Sequence, residues 1–252
     1  MVSTDQLPVK NDHITLQEDL NNLQVWEQEW SMQFHPQKCQ LLRVTSKTNP
    51  SIYTYKIHGI DIEVTDDARY LGVSINNKLS WNNHIDNISH KANNTLNFIH
   101  RNFKTCKPKV KEKLYTTYVR PSLEFSSSVW DPHTKKNIDK LERVQRRAAR
   151  FVRSNYSRNQ SVTSLMRDMN WTPLRERRAR AKVTTVYKAT HHMVDIPFDL
   201  PLTHSSTRSS QNFNPPYART DVYKHSYYQN AIRQWNSLPT SIRESHSFSD
   251  FE

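Results

Sequence analysis

The 252-residue sequence has very little glycine or cysteine: Gly59, Gly72, Cys39 and Cys106 are the only residues of these two types. Two isolated glycines cannot form the glycine-rich loops that hold nucleotide phosphates. The cysteines are far apart and form no C-x-x-C pair, which argues against a zinc site and against a disulfide framework. We therefore expect an intracellular protein in a reducing compartment, with nucleus and cytoplasm not distinguished.

Long apolar segments are also lacking. Hydrophobic residues make up 35% of the sequence and the mean hydropathy is −0.86. No apolar run approaches the roughly 18 residues of a membrane span. The first residues, MVSTDQLPVKNDH, have no apolar centre of the kind found in secretion signals. The sequence thus predicts no membrane partner, and it leaves the oligomeric state open.

Positive charge, by contrast, is plentiful and concentrated in one part of the chain. The formal net charge is +12 and the isoelectric point is about 9.7. The segment 135–188 contains 16 lysines and arginines but only 4 acidic residues, so it carries the whole net charge. A localised basic block indicates a polyanionic partner, nucleic acid before membrane.

Apolar periodicity predicts an α+β fold that is mostly α. Three strand-like segments, KCQLLRVTS, YTYKIHGIDIEV and RYLGVSI, lie between the first two helices. The middle segment alternates around His58-Gly59, which predicts a two-residue hairpin. Helices are predicted at 15–34, 80–103, 108–120, 134–153, 172–191 and 221–236, with a Pro- and Ser-rich linker at 195–220.

Two of these helices carry specific predictions about their ends and faces. In the first, Thr15 and Glu18 have the spacing of a capping box. Its buried face is predicted to contain Leu16, Leu20, Leu23, Trp26 and Trp30. In the third, which begins at Pro108, the inward-facing residues are predicted to be Val110, Leu114 and Tyr118.

Two patterns suggest a metal site at first sight. The stretch VTDDARYLGVSI contains Asp66-Asp67, and paired aspartates hold Mg²⁺ in two-metal polymerases. Aspartate is also common in turns, and nothing upstream supplies a convincing third carboxylate, so a turn is predicted here. His191-His192 would point about 100° apart on a helix, without a Cys or acidic partner at ligand spacing. No metal ligand is therefore predicted.

The helix KKNIDKLERVQRRAARFVR combines an apolar stripe with a basic one. Five cations recur at helical spacing and are predicted to contact nucleic acid: Lys136, Lys140, Arg143, Arg147 and Arg150. A second cluster on the next helix contains Arg175, Arg178 and Lys182. Aromatic residues are not interleaved with these stripes, so no stacking platform is predicted. The expected mode is contact with the phosphate backbone of RNA, DNA or an RNA–DNA hybrid, without sequence preference.

Six motifs in a fixed order resemble the downstream half of reverse transcriptases from non-LTR (LINE-type, jockey-like) retrotransposons. They are LQEDLNNLQVWEQEWSMQFHPQKCQLL, YKIHGIDIEV, RYLGVSINNKLSWNNHIDNISHKAN, LYTTYVRPSLEFSSSVWDP, LERVQRRAARF and AIRQWNSLPTSI. Together they cover residues 12–251. The resemblance implies a partial palm domain at 1–78 built on a small antiparallel sheet, a helical thumb-like region at 79–192, and a linker with a loosely attached C-terminal helix at 193–252.

The family activity is RNA-directed DNA synthesis with Mg²⁺. The resemblance places the metal-binding Asp pair at or just before Met1, so that Asp66-Asp67 is not the catalytic pair. This chain alone is then expected to bind no cofactor and to have no polymerase activity. HPQKC resembles the motif whose lysine can protonate the departing pyrophosphate, and Lys38 matches it; a solvated lysine after a turn is the alternative. Tyr70-Leu71-Gly72 resembles the primer-grip motif of the family. The alternative interpretation of these residues is a strand in the core.

The preferred interpretation is a fragment of a retrotransposon RNA-directed DNA polymerase that keeps the nucleic-acid-binding thumb and primer-grip-like elements. Two alternatives remain open. One is a non-enzymatic nucleic-acid-binding module, which would fold without further sequence. The other is a functionless translated transposon remnant, in which the palm portion would not be stably folded.

Overall fold

A computed structural model describes residues 12–195, 212–245 and 247–251. The chain divides into two compact units between Trp81 and Asn82. The first unit contains all the strands found among the described residues, and the second is helical. This confirms the predicted α+β, mostly α fold class.

The first unit combines one long helix with three small strand pairs. Strands β1 and β4 pair in parallel, whereas β2–β3 and β5–β6 are antiparallel hairpins. Pro36–Lys38 forms a short 3₁₀ turn before β1. The elements are α1 (Asp12–Glu29), β1 (Gln40–Leu42), β2 (Lys56–Ile57), β3 (Ile60–Asp61), β4 (Glu63–Thr65), β5 (Asp67–Tyr70) and β6 (Val73–Asn76).

Both hairpins turn through two residues with positive φ. His58 and Gly59 have φ of 52° and 73°, the left-handed pair that a type I′ turn requires, so the predicted hairpin is confirmed. Leu71 and Gly72 have φ of 46° and 88° and connect β5 to β6 in the same way. The prediction of one continuous strand at RYLGVSI is therefore wrong, because two successive left-handed residues reverse the chain.

The apolar face predicted to be buried in α1 is largely exposed. Leu16, Leu23, Trp26 and Trp30 are all exposed, with Trp30 at 63%. Thr15 lies inside the helix, which begins at Asp12, so the predicted capping box is also wrong. Strands of two to four residues offer too little surface to cover a helix of 18 residues. The buried residues of residues 12–81 are Glu27, Ile57 and Val73.

The second unit contains the remaining helices. Among its described residues, none of the helices is long and apolar enough to cross a membrane. They are α2 (Asn82–Asn102), α3 (Pro108–Leu114), α4 (Arg120–Glu124), α5 (Ser127–Trp130), α6 (Lys135–Arg153), α7 (Val162–Arg167), α8 (Leu174–Thr190), α9 (Asp221–Lys224), α10 (Tyr227–Asn236), α11 (Thr240–Arg243) and α12 (Phe248–Phe251).

Helices α2 and α6 form the centre of this unit and pack against each other along their length. Each helix places a stripe of apolar residues in the core: Ile85, Ala92, Leu96 and Ile99 from α2, with Leu141, Val144, Ala148 and Phe151 from α6. Both stripes follow the 3.6-residue period, so that one face of each helix is removed from water. The opposite face of α6 is thereby left for its cations.

The predicted inward face of α3 is rotated from the observed one. Val110 and Tyr118 are exposed, whereas Lys111, Tyr115 and Val119 are buried. Residues Tyr115–Val119 form a π-helical turn between α3 and α4. Pro121, at the start of α4, has no N–H to continue the preceding hydrogen-bond ladder. A wider turn at this position changes which side chains face the core.

The C-terminal helices belong to the core of the second unit, which corrects the prediction that they are loosely attached. Helix α10 packs on α8. Their shared cluster contains Val183, Val186, Tyr187, Phe213, Ala231, Ile232, Trp235 and Phe251. The helix predicted at 221–236 is interrupted between α9 and α10. Most of the predicted linker, residues 196–211, lies outside the described residues.

Candidate nucleic-acid interface

A polar seam runs along one edge of the α2–α6 pair and holds part of the predicted basic stripe. At its N-terminal end, Asn137 donates from Nδ2 to Oδ1 of Asn82 at 2.7 Å. One turn on, Lys140 forms an ion pair with Asp86. These contacts bind α6 to α2, so the orientation of the stripe is fixed by side chains of both helices.

Arg147 lies further along the seam, and its guanidinium donates hydrogen bonds to two asparagines of α2. Its guanidinium hydrogen-bonds the side-chain oxygens of Asn93 and Asn97, the latter at 2.9 Å. Arg150 donates from Nη1 to the backbone oxygen of Ser157 at 3.0 Å. All three acceptors are neutral, so these contacts orient Arg147 and Arg150 without cancelling their charge.

The five cations of the predicted stripe thus fall into two classes. The charge of Lys140 is compensated by Asp86. Lys136 and Arg143 are exposed, and neither takes part in a hydrogen bond or ion pair recorded for the described residues. Together with Arg147 and Arg150, they leave an uncompensated positive surface on α6. We call Arg143, Arg147 and Arg150 the α6 arginine row.

Two of the three residues in the second predicted cluster are buried and do not form part of a basic surface. Arg178 and Lys182 are each only 2% exposed, and both bind the carboxylate of Asp131, with Arg178 Nε at 2.7 Å from Oδ1. The prediction that these two residues contact nucleic acid is wrong, because both side chains are buried and bind a carboxylate in the interior. Arg175 is exposed. Its backbone N–H donates to Oε1 of buried Glu142 at 2.8 Å, which ties the start of α8 to α6.

Acidic residues outside the basic block therefore reduce its effective charge. Arg177 forms an ion pair with Glu124, in addition to the pairs made by Asp86 and Asp131. All three carboxylates precede the 135–188 segment in the sequence. The linear charge balance could not reveal this compensation, since it depends on which residues meet in space.

The C-terminal ends of α2 and α6 enclose a pocket of about 330 Å³. Arg147 and Arg150 supply its positive charge, and buried Leu96 and Phe151 supply its apolar lining. Its other lining residues are Asn97, His100 and Tyr156. The pocket is therefore cationic, partly aromatic and large enough for a small ligand.

Tyr156 is the feature of this pocket that sequence reasoning missed. It follows Ser154, whose φ of 51° turns the chain back at the end of α6. Its hydroxyl lies 2.9 Å from Nε2 of His100, and 58% of its surface is exposed. Burial raises the pKa of Tyr156, an effect that nearby Arg147 partly offsets, so the phenol is neutral at pH 7. The presence of a tyrosine inside the basic block was the available signal.

The first-unit residues singled out in the sequence lie at turns. Asp66 accepts a hydrogen bond from Asn77 Nδ2 at 2.7 Å, and Asp67 is the first residue of β5. Asp66 therefore lies at the predicted turn between β4 and β5, whereas Asp67 pairs with Asn76 in the β5–β6 hairpin. Lys38 is exposed at the end of the 3₁₀ turn.

Tyr70-Leu71-Gly72 forms the tip of the β5–β6 hairpin. Leu71 is 76% exposed and Tyr70 is also exposed. The alternative of a core strand at this motif is therefore wrong, because a hairpin tip projects away from any core. Gly72 is required by its positive φ, irrespective of any nucleic acid.

The described residues also show no metal-binding geometry. Within residues 12–195, 212–245 and 247–251, no three His, Cys, Asp or Glu side chains are grouped so as to hold an ion. His191 stacks on Tyr187 with ring centroids 3.9 Å apart, and its Nδ1 lies 2.9 Å from the Tyr187 backbone oxygen. These contacts give that histidine a structural role at the end of α8.

Two curated proteins of Drosophila melanogaster are similar in sequence to this chain. One is a probable RNA-directed DNA polymerase from transposon BS, 25% identical over 171 residues, which are 66% of this chain and 18% of that protein. The other is the RNA-directed DNA polymerase from mobile element jockey, 25% identical over 142 residues, 54% of this chain and 15% of that protein. No protein-family model and no solved structure matches the chain.

These similarities confirm the resemblance stated from the motifs: the chain is related to the RNA-directed DNA polymerases of jockey-type, non-LTR retrotransposons. The chain spans less than a fifth of the length of either relative.

Proposed function

We propose that this chain binds nucleic acid through the phosphate backbone, with the α6 arginine row as the main contact. It acts in this proposal as a thumb-like part of a retrotransposon reverse transcriptase, and its partners are RNA, DNA or an RNA–DNA hybrid. The observation that carries the proposal is that Arg147 and Arg150 are held in place by neutral acceptors. Their charge remains available to a phosphate.

The physical basis is that fixed guanidinium groups bind phosphate well. Arginine presents a rigid set of donors that matches phosphate oxygens, and a side chain that is already positioned loses less conformational entropy on binding. The row continues along one face of a helix whose opposite face is buried. A phosphate backbone could therefore follow the helix without disturbing the core.

In this proposal the chain does not polymerise nucleotides on its own. Other residues of the polymerase would carry out the metal-dependent chemistry, with Mg²⁺ as cofactor. The reaction would take place inside the cell. The turn geometry of Asp66, bound to Asn77, supports this assignment. The family resemblance supports two further roles in this proposal. Lys38 would donate a proton to pyrophosphate, and Tyr70-Leu71-Gly72 would contact the primer.

The decisive experiment compares salt dependence of binding between wild type and a variant of the arginine row. Arg143→Gln, Arg147→Gln and Arg150→Gln are combined, since glutamine keeps helix propensity. Affinity for a blunt RNA–DNA hybrid is titrated at several salt concentrations. Each lost phosphate contact should lower the log–log slope by about 0.9 on a duplex, so the variant should lose about 2 to 3 units of slope.

A matched control removes the same charge elsewhere. Arg167→Gln, Arg180→Gln and Arg219→Gln change three exposed arginines outside the row. This control should keep a slope within about one unit of wild type, because charges that do not contact phosphates release few counterions. Equal slopes for wild type and the row variant would overturn the proposal, as would equal losses for the row variant and the control.

The second unit has its own buried core, which a self-sufficient nucleic-acid-binding module requires and which a remnant would also retain. Limited proteolysis separates this alternative from a remnant. A resistant product covering residues 12–190 supports the module. Resistance only from about residue 80 onward supports a remnant in which the first unit is not stably folded.

A further inference from the structure

The pocket between the ends of α2 and α6 joins the α6 arginine row to an exposed aromatic ring. Two of its lining residues, Arg147 and Arg150, belong to that row. Tyr156 lines the same pocket, and its hydroxyl is hydrogen-bonded to His100. Positive charge and an aromatic surface therefore meet at one place, within reach of a single ligand.

From this arrangement we infer that the pocket binds one unpaired nucleotide of a nucleic-acid strand, with its phosphate on Arg147 and Arg150 and its base against Tyr156. The inference rests on the proposed function, because the row brings the backbone to the pocket. The inference also predicts a preference that backbone binding does not. The chain should bind nucleic acid with an unpaired end or bulge more tightly than a fully paired duplex.

The chemistry of the pocket suits a nucleotide better than a simple anion. A phosphate alone needs donors only, whereas this pocket also has an apolar lining from Leu96 and Phe151. A nucleobase provides the flat apolar surface that complements such a lining, and stacking on an aromatic side chain tolerates any base. A volume of about 330 Å³ lies at the small end of known ligand pockets, in keeping with one nucleotide.

The pocket is also organised before a ligand arrives. Asn93 and Asn97 orient Arg147, Ser157 orients Arg150, and His100 orients Tyr156. The His100 ring in turn lies 5.1 Å from that of Phe151, centroid to centroid. Because these groups are already fixed, binding costs little side-chain entropy. A base paired inside a duplex is excluded, because both of its faces are stacked on neighbouring bases and cannot reach Tyr156.

The test uses two forms of one RNA–DNA hybrid, blunt or with a four-nucleotide single-stranded overhang, and the whole chain. Wild type should bind the overhang form more tightly. Tyr156→Ala should weaken binding of the overhang form about 5- to 150-fold, the range expected for loss of one stacked base. It should leave the affinity for the blunt form and its salt slope unchanged.

Two control variants accompany it. Tyr156→Phe keeps the ring but loses the bond to His100, so most of the overhang preference should remain. Tyr217→Ala removes a tyrosine that is exposed and outside the pocket, and it should behave as wild type. Thermal unfolding of each variant checks that the fold is retained.

The outcomes distinguish this inference from the proposed function. Equal binding of both forms by wild type, or an equal loss on both forms in Tyr156→Ala, overturns the nucleotide pocket and leaves backbone binding intact. If wild type binds the overhang form but not the blunt form, and Tyr156→Ala loses that binding, the pocket is supported and the arginine row is overturned as the main contact with a duplex backbone. Absence of binding to either form overturns both.

Discussion

Arg178 and Asp131 form an ion pair in the interior of the second unit, with Nε 2.7 Å from Oδ1, although 47 residues separate them in the sequence. Lys182 binds the other oxygen of the same carboxylate. Both cations are almost completely buried. One carboxylate on the segment before α6 therefore pairs with two cations of α8 and offsets one of their two positive charges. It also joins two parts of the chain that no local pattern connects.

We expect Asp131→Asn to destabilise the protein strongly. Removing the carboxylate leaves two cations buried without a counter-charge, and breaking a buried ion pair in this way costs about 3–5 kcal/mol. Urea unfolding of the whole chain, followed by circular dichroism at 222 nm, measures the effect. Asp139→Asn is the matched control, because Asp139 makes only a 4.0 Å contact with exposed Arg146. Similar losses for both variants would contradict this assignment.

Glu142 is expected to stabilise the start of α8. Its carboxylate accepts the backbone N–H of Arg175, and a negative charge at a helix N-terminus also interacts favourably with the helix dipole. Glu142→Gln should lower the free energy of unfolding by about 1 kcal/mol. Glu176→Gln changes an exposed acid in the same first turn and should cost less. Thermal unfolding of the two variants compares their stability. A larger loss of stability for Glu176→Gln than for Glu142→Gln would refute the stabilising role of Glu142 at the start of α8.

The first unit should be much less protected from hydrogen exchange than the second. Its described residues bury only Glu27, Ile57 and Val73, and its strands have two to four residues. Opening such a unit exposes little apolar surface and so costs little free energy. Exchange followed by mass spectrometry should show fast labelling in 12–81 and slow labelling in α2 and α6. Equal protection in the two units would show that packing in the first has been underestimated.

Asp66 and Asp67 should have no catalytic role. A primed-RNA assay with deoxynucleotides and Mg²⁺ is expected to give no primer extension with wild type. Asp66 lies in a turn, Asp67 begins β5, and the described residues group no third metal ligand with them. The double change Asp66→Ala and Asp67→Ala should affect only stability, through loss of the Asn77 contact. Extension by wild type that disappears in the double variant would overturn this conclusion. Any retained extension would instead point to carboxylates elsewhere in the chain.

The sequence by itself determined those features that depend on local period or turn chemistry. The bounds of α6 and its apolar stripe follow from 3.6-residue spacing, and the His58-Gly59 hairpin follows from two residues suited to positive φ. Such signals lie within a few residues of one another, so they survive without knowledge of the fold. The order of the family motifs was equally visible, and the similarity to the two Drosophila polymerases bears it out.

Only the tertiary structure decided which charges are available and where the pocket lies. Helical spacing predicts Lys140, Arg178 and Lys182 at the surface, but all three form ion pairs with Asp86 or Asp131 from distant positions. Tyr156 reaches the arginine row because the chain turns back at Ser154 and His100 of α2 meets its hydroxyl. Helical period places a residue on a face, whereas the contacts that neutralise a charge or complete a pocket come from other helices. Those contacts depend on how the helices pack, which local spacing does not specify.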